Sequence, residues 1–323
     1  MEGIKRVADK TVKYWFSLKG GTHIPVFENQ TKEEAFNSFI EKQKSREKGS
    51  FDPKTFNADD WASSIKDPKC TSDEKGFNYM LSQMKDPDLK QKIAEVEKKN
   101  EGLTSTHDMH WLSGEGAGAV YDDERTRLHD KIISDYLKEN KQAVCKDGET
   151  PTLILLGGRG GSGKSKFDGL VYDRSKYLVV DSDDIKSKLP EYKGWNASQV
   201  HEESSVIMKQ LLRYARGLNM NVVIDGTMST YKSYEKYFNQ FKGYKTEAHY
   251  MFLPPQESVK RAMGRFSNGK KYDGRFVPAK ILMNMNDNEK VFDKVKARCD
   301  KWSFYSNYGV AKDAKPDLIC SKN

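Results

Sequence analysis

The sequence predicts an α/β fold, a parallel sheet with helices on both faces, preceded by a mostly helical N-terminal region. Three observations carry this expectation. Short aliphatic runs recur through the second half of the chain, and the first four are each followed by a helical pattern. A glycine-rich turn joins the first run to its helical pattern. The first half is instead rich in Lys, Asp, Glu and Asn and poor in β-branched runs. Short strands that are apolar on both sides and separated by helices form parallel sheets covered on both faces.

Length and composition narrow the class further. A chain of 323 residues is long for one domain, so two are expected. With 15 Phe, 16 Tyr and 5 Trp it can fill a core, while 36% hydrophobic and 32% charged residues keep its surface wet. The longest aliphatic run is Leu153 to Leu156, far short of the ~20 residues a membrane span needs. The opening MEGIKRVADK has no apolar segment of a secretory signal. The four cysteines, Cys70, Cys145, Cys299 and Cys320, show no C-x-x-C spacing and read as reduced thiols. The expectation is a cytoplasmic protein with no membrane partner. A net charge of +8 favours anionic partners without choosing among them.

Taken in order, Asp86-Pro87-Asp88 opens a helix that ends near Gly102. GEGAGAV, Gly114 to Val120, reads as a flexible connection. Asp122-Asp123 can cap a longer helix, in which Leu128, Ile132, Ile133 and Tyr136 form an amphipathic stripe. His129 on that helix is expected on its surface or packed. Trp15, Trp61 and Trp111 argue for packing in the first half, not for an activity. Lys146-Asp147-Gly148 reads as a turn. The strand candidates are TLILLG (Thr152 to Gly157), YLVVD (Tyr177 to Asp181), NVVID (Asn221 to Asp225), AHYMFL (Ala248 to Leu253) and DLIC (Asp317 to Cys320). The expected division is residues 1–121, mostly helical and of unknown role, and 122–323, with the helix over 122–144 leading into the sheet.

The segment GGRGGSGKS decides the chemistry. Gly158, Gly163, Lys164 and Ser165 satisfy G-x-x-x-x-G-K-[ST], a match that chance supplies on the order of 1% of the time in a chain this long. Such a loop, with Gly160, Gly161 and Ser162 inside it, lets consecutive backbone N–H groups converge on phosphate oxygens, where bulky side chains would block them. Lys164 adds a point charge for the β/γ-phosphates, and the Ser165 hydroxyl suits Mg²⁺. ATP and Mg²⁺ are the implied cofactors.

In an open α/β sheet ligands gather at the carboxyl ends of the strands. The second strand ends in Asp181-Ser182-Asp183-Asp184 and the third in Asp225-Gly226-Thr227. Carboxylates there can hold Mg²⁺ or take a proton from a substrate hydroxyl. Asp183 or Asp184 could instead simply cap the helix IKSKL. No guanine-reading N-K-x-D is present. Beyond the fourth strand, Arg261 and Arg265 share a helix face. Asn268-Gly269 and Asp273-Gly274 then mark a lid loop carrying Arg275. Lids of small-molecule kinases expel water and bring guanidinium groups to the transferring phosphoryl.

Together GGRGGSGKS, VVDSDD, VVIDGT and the arginines ending in GRFVP make residues 122 to 308 resemble the zeta-toxin family of P-loop kinases. Long, often phage-encoded relatives share a lead-in like YDDERTRLHDKII. The resemblance implies a P-loop kinase-like sheet and an ATP- and Mg²⁺-dependent kinase that phosphorylates a hydroxyl of a small nucleotide-containing acceptor such as UDP-N-acetylglucosamine. It further implies a toxin silenced by an antitoxin. It makes Asp183 the base and Lys164 and Ser165 the phosphate and Mg²⁺ residues, with Asp181 beside the metal. Arg275, with its R-x-x-P, and Arg265 (or Arg261) become the phosphate-stabilising arginines. Asp225 and Thr227 would face substrate, and the family's substrate-facing glutamate falls on Glu203 or Glu202. Two other readings stay open. One is a polynucleotide 5′-hydroxyl kinase, which the charge allows but does not favour. The other is a nucleotide-holding structural or phage-particle protein without turnover.

Overall fold

The computed structural model describes residues 6–7, 10–17, 23–28, 30–35, 51–67, 69–71, 73–267, 275–283, 287–311 and 313–323. Its centre is a six-stranded sheet of β1 (Thr152–Gly157), β2 (Leu178–Asp181), β3 (Val222–Asp225), β4 (Lys245–Phe252), β5 (Lys301–Ser306) and β6 (Asp317–Lys322). The strands run in the order β6-β5-β4-β1-β3-β2. From β5 through β2 all neighbours are parallel. The segment DLIC forms the edge strand β6, antiparallel to β5. The link over 307–316 is shorter than the dozen or so residues a parallel crossover needs. Strand β5, KWSFYS, is missing from the expected set because its buried face is built from Trp302 and Phe304, not from an aliphatic run.

One face of the sheet, with Leu153, Leu155, Val180 and Ile224, is covered by α5 (Asp123–Glu139), α7 (His201–Gly217), α8 (Tyr231–Gln240) and α11 (Asn288–Lys296). Asp122 caps α5 by accepting from Arg125 N–H at 2.9 Å, and Ile132, Ile133 and Tyr136 of the expected stripe are buried. The opposite face, with Ile154, Leu156, Val179 and Val223, packs on Phe167 and Tyr172. The helix expected after β1 is reduced to a single 3₁₀ turn, Lys164–Phe167. Asp168-Gly169 ends it, because Gly169 turns at φ +73° and its N–H bonds back to Tyr172 O.

The first half departs further from expectation. Antiparallel strands Arg6–Val7, Lys10–Ser17 and His23–Phe27 replace the helical start, and KTVKYWFS has the β-branched and aromatic content that favours a strand. GEGAGAV is not a loose connection. It turns through Gly116–Gly118 and pairs Val120–Tyr121 with Trp111–Ser113. This ribbon follows the short α4 (Thr106–His110). The helix after Asp86-Pro87-Asp88 does form, as α3 (Leu89–Glu101) with Gly102 at its end.

Residues from both sides of position 121 share buried cores. Phe56, Trp61 and Ile65, in and around α1 (Ala58–Ser63), belong to the core of the main sheet. The Trp61 ring meets Phe252 and Phe304 edge-on at 5.0 and 5.3 Å. Met80 of α2 (Glu74–Ser82) and Leu89 and Ile93 of α3 pack on Val259 and Met263 of α9 (Pro255–Ser267) and on Phe276. Short helices α6 (Ser182–Ser187) and α10 (Ala279–Met283) lie at the ends of β2 and of the segment after α9. Trp15 and Trp111 are instead about half exposed. All four cysteines are free. Among the described residues no helix is long and apolar enough to cross a membrane.

Candidate active site

The loop from Gly158 to Ser165 leaves the end of central β1, and its carbonyls from Gly158 to Gly163 are all engaged. Gly158 O accepts from Lys164 Nζ at 3.0 Å and Arg159 O from Ser162 N–H at 3.0 Å. Gly160 O accepts from Ser258 Oγ at 2.6 Å and Gly161 O from Arg261 Nη1 at 3.1 Å. Ser162 O accepts from Asn307 Nδ2 at 2.7 Å and Gly163 O from Lys166 N–H at 3.0 Å. A trans peptide points its N–H opposite its C=O, so the amides of Gly161 and Gly163 are turned away from these donors. Three glycines are required by geometry. Gly158 sits at φ +139° with a Cβ position 2.5 Å from Met251 O, Gly161 at φ +81° with one 3.1 Å from Arg261 Cβ, and Gly163 at φ +92° with one 2.5 Å from Asn307 Nδ2.

Facing the loop are the ends of β2 and β3, where Asp181 pairs in register with Asp225. Asp181, not Asp183 or Asp184, caps α6 by accepting from Asp183 N–H at 2.9 Å. That leaves the Asp183 carboxylate free for other partners. Its Oδ1 accepts from Lys186 Nζ at 3.0 Å and its Oδ2 from Arg275 Nη1 at 2.9 Å. Burial pulls this carboxyl upward, but Lys186 and Arg275 outweigh it and hold Asp183 below the usual range. Asp181 moves the other way, to about 6, through burial and then through the Asp225 charge. Burial also raises Asp225, opposed by Lys164, whose Nζ lies 3.6 Å from Asp225 Oδ1. Thr227 contributes through its backbone, its carbonyl accepting from Asn288 Nδ2 and from Gly158 N–H at 3.4 Å.

The arginines divide their work. Arg261 is bound to backbone, Gly161 O and, at 3.4 Å, Asn307 O. Arg265, one turn on, brings Nη2 to 3.2 Å from the Cβ position of Gly161. Both flank the loop. Arg275 reaches Asp183, and Phe276 behind it is buried with its N–H on Gly194 O at 3.3 Å. Asn268-Gly269 and Asp273-Gly274 lie outside the described residues.

Glu203 does not join the cleft. It is fully buried on α7, where Arg125 Nε and Nη2 donate to it at 2.5 and 2.8 Å and His129 Nε2 lies 2.6 Å away. Burial would raise it, yet bonds from His129 and Arg125 drive it down to about 2. Its carboxylate is committed to docking α5, which also makes His129 a packed histidine. The neighbouring Glu202 is exposed, 3.8 Å from His107.

Two features fit a bound polyphosphate with its cation. Ser162 Oγ is buried within the loop without a hydrogen-bond partner among the described residues, and such an orphan group calls for a ligand. Asp181 and Asp225 repel each other in a half-buried site, a tension that a divalent cation relieves. Ser165 is exposed, next in chain to Lys164. Sequence reasoning missed Lys186, whose i+3 spacing from Asp183 on α6 was a readable signal. It also missed Asn307, Ser258 and Glu289, which reach the loop from far along the chain and leave no local trace.

Comparison with known proteins agrees with this geometry. The family model for zeta toxin matches residues 135–310. The toxin zeta of Enterococcus hirae is 27% identical over 150 residues, 43% of this chain and 52% of its own length. That of Streptococcus pyogenes is 27% identical over 151 residues, 43% of this chain and 50% of its own. The chain thus spans about half the length of the curated relatives it matches. Among solved structures, the AvrRxo1-ORF1:AvrRxo1-ORF2 complex with sulphate ions shares the fold at a TM-score of 0.52, with 19% identity, 68% of this chain and 76% of that chain covered. The same complex with ATP gives 0.52 at 18% identity, with the same coverage. Because the family match runs from within α5 to just past β5 and takes in every loop of the cleft, over more than half of the chain, this protein belongs to the zeta toxin family.

Proposed function

We propose that this chain is an ATP-dependent kinase that transfers a phosphoryl group to a hydroxyl of a small, nucleotide-containing acceptor, and that it acts as a toxin with an antitoxin partner. The observation that carries this reading is Asp183, held between Lys186 and Arg275 at the mouth of the phosphate loop. Each carboxylate oxygen has a second lone pair, so Asp183 can accept a substrate hydroxyl while keeping both cations. It orients that hydroxyl and takes its proton as the oxygen attacks phosphorus. Lys164 and the loop amides hold the phosphates, and Arg275 with Arg265 meets the charge spreading over the transferring group. Ser165, Asp181 and Asp225 would hold Mg²⁺, which when bound neutralises phosphate charge. Family membership supports the kinase chemistry, and a structure of like fold was solved with ATP. The expected division into a kinase unit from 122 onward is here proposed to extend to residues 51–121, which share its cores.

The test is release of ADP with UDP-sugars, dinucleotides and 5′-hydroxyl DNA or RNA offered in turn. Asp183→Asn keeps size and loses the proton acceptor, so turnover on the true acceptor should fall at least ~100-fold with ATP affinity near that of the wild type. Normal turnover in Asp183→Asn removes the base assignment. Activity confined to 5′-hydroxyl ends would make the protein a polynucleotide kinase instead.

A further inference from the structure

The phosphate loop carries a residue that the proposed phosphoryl transfer does not use. Arg159 is fully buried, and its guanidinium donates to both oxygens of Glu289, with Nη2 to Oε2 at 2.8 Å. Glu289 is equally buried and also accepts from Tyr250 hydroxyl at 2.8 Å. Its neighbour Asn288 holds Thr227 O. The first turn of α11 therefore grips two loops of the cleft at once, the phosphate loop through Glu289 and the β3 loop through Asn288.

What holds α11 is the segment over 51–67. At one end, Ala58 N–H donates to both oxygens of Asp293 on α11 at 3.0 Å, and Asp59 N–H to Oδ2 at 3.2 Å. Lys296 Nζ returns a bond to Phe56 O. At the other end, Lys66 Nζ reaches Glu289 Oε2 at 3.2 Å. Between them Trp61 is locked against Phe252 and Phe304. A buried carboxylate facing two cations keeps its charge and its place.

We propose that residues 51–67 are a brace for the phosphate site, with Lys66 and Glu289 as positioning residues that fix the loop through Arg159. The brace acts at the site assigned under the proposed function and rests on that reading for its link to ATP. A preorganised loop binds a polyphosphate without first paying to order itself. Loosening Glu289 by removing Lys66 lets Arg159, and the loop with it, sample other positions.

The experiment compares full-length Lys66→Met, Lys66→Arg and Glu289→Gln with the wild type, and uses Lys294→Met as a control. Lys294 is an exposed cation on the same helix, with its Nζ 5.9 Å from the centre of the Tyr231 ring, outside the segment over 51–67. Two quantities are read: the ATP dissociation constant, and hydrogen exchange of the amides over 156–166 in protein without nucleotide. Lys66→Met should weaken ATP binding about 3- to 10-fold and speed exchange in that segment selectively. Lys66→Arg should restore both, and Glu289→Gln should exceed Lys66→Met in both. Lys294→Met should change neither. Unchanged exchange and affinity in folded Lys66→Met overturns the brace, as does an equal loss in Lys294→Met. Should Glu289→Gln fail to fold, Lys66→Met decides alone. A wild type that binds no ATP sinks the kinase reading, while the exchange data still decide whether the brace exists.

Discussion

Two buried arginine–glutamate clusters, one under the phosphate loop and one between α5 and α7, make an instructive contrast. Under the phosphate loop, Arg159 and Glu289 are both fully buried and joined by Lys66 and Tyr250. Under α7, Arg125 is clasped by Glu203 and, at 2.9 and 2.7 Å, by Glu191, with His129 alongside. The chemistry is nearly the same. The first cluster has one arm in the phosphate loop, so the proposed brace would carry its order to a bound nucleotide. The second joins two helices and withdraws a carboxylate from the cleft. A buried ion pair thus gains its meaning from what its members are attached to.

The largest effect should come from breaking each cluster in turn. Removing one partner leaves an uncompensated buried charge, at a cost of about 3–5 kcal/mol. Glu289→Gln should lower urea stability on that scale and Glu203→Gln by less, because Glu191 still pairs with Arg125, and only Glu289→Gln should weaken ATP binding. An ATP affinity lost in Glu203→Gln would erase the distinction. Acid sharpens the test. Glu203 is depressed to about 2 in the folded chain, so its contribution is complete above its ordinary unfolded range. It fades as pH falls from about 5 toward 2. That difference amounts to about 3 kcal/mol, and the Glu203→Gln stability curve should be correspondingly flatter there.

Next in size is the arginine bonded to Asp183. Arg275→Ala should lower kcat by roughly 2–4 kcal/mol with little change in ATP affinity, as expected for transition-state charge stabilisation. Steady-state kinetics at saturating ATP decide it, and an unchanged kcat would restrict Arg275 to holding Asp183. The smallest effect concerns Lys186. Its charge helps hold Asp183 below the usual carboxylate range, so Lys186→Met should raise that carboxyl. In the proposed role Asp183 acts when deprotonated, so the acid limb of kcat/KM should then move to higher pH. An acid limb that stays in place would mean that another group sets it.

The sequence by itself determined the phosphate loop, the acidic strand ends and the positions of β1 through β4 along the chain, because each is written in adjacent residues with a local physical cause. The glycines permit the turn, the aliphatic runs bury on both faces, and the lead-in helix is announced by its cap and stripe. Tertiary structure alone decided the remainder. Glu203 looks like any first-turn glutamate until α5 delivers Arg125 and His129 to it. Arg159 looks like a solvent-facing loop cation until Glu289, far along the chain, takes it inside. The strand KWSFYS is recognised only when β4 lies beside it, and the segment over 51–67 reads as a separate region until Trp61 enters the sheet's core. The physical reason is common to all four. Helix caps and glycine turns are stabilised within a few residues, whereas buried charges and aromatic faces are stabilised only by partners that the fold brings from elsewhere in the chain.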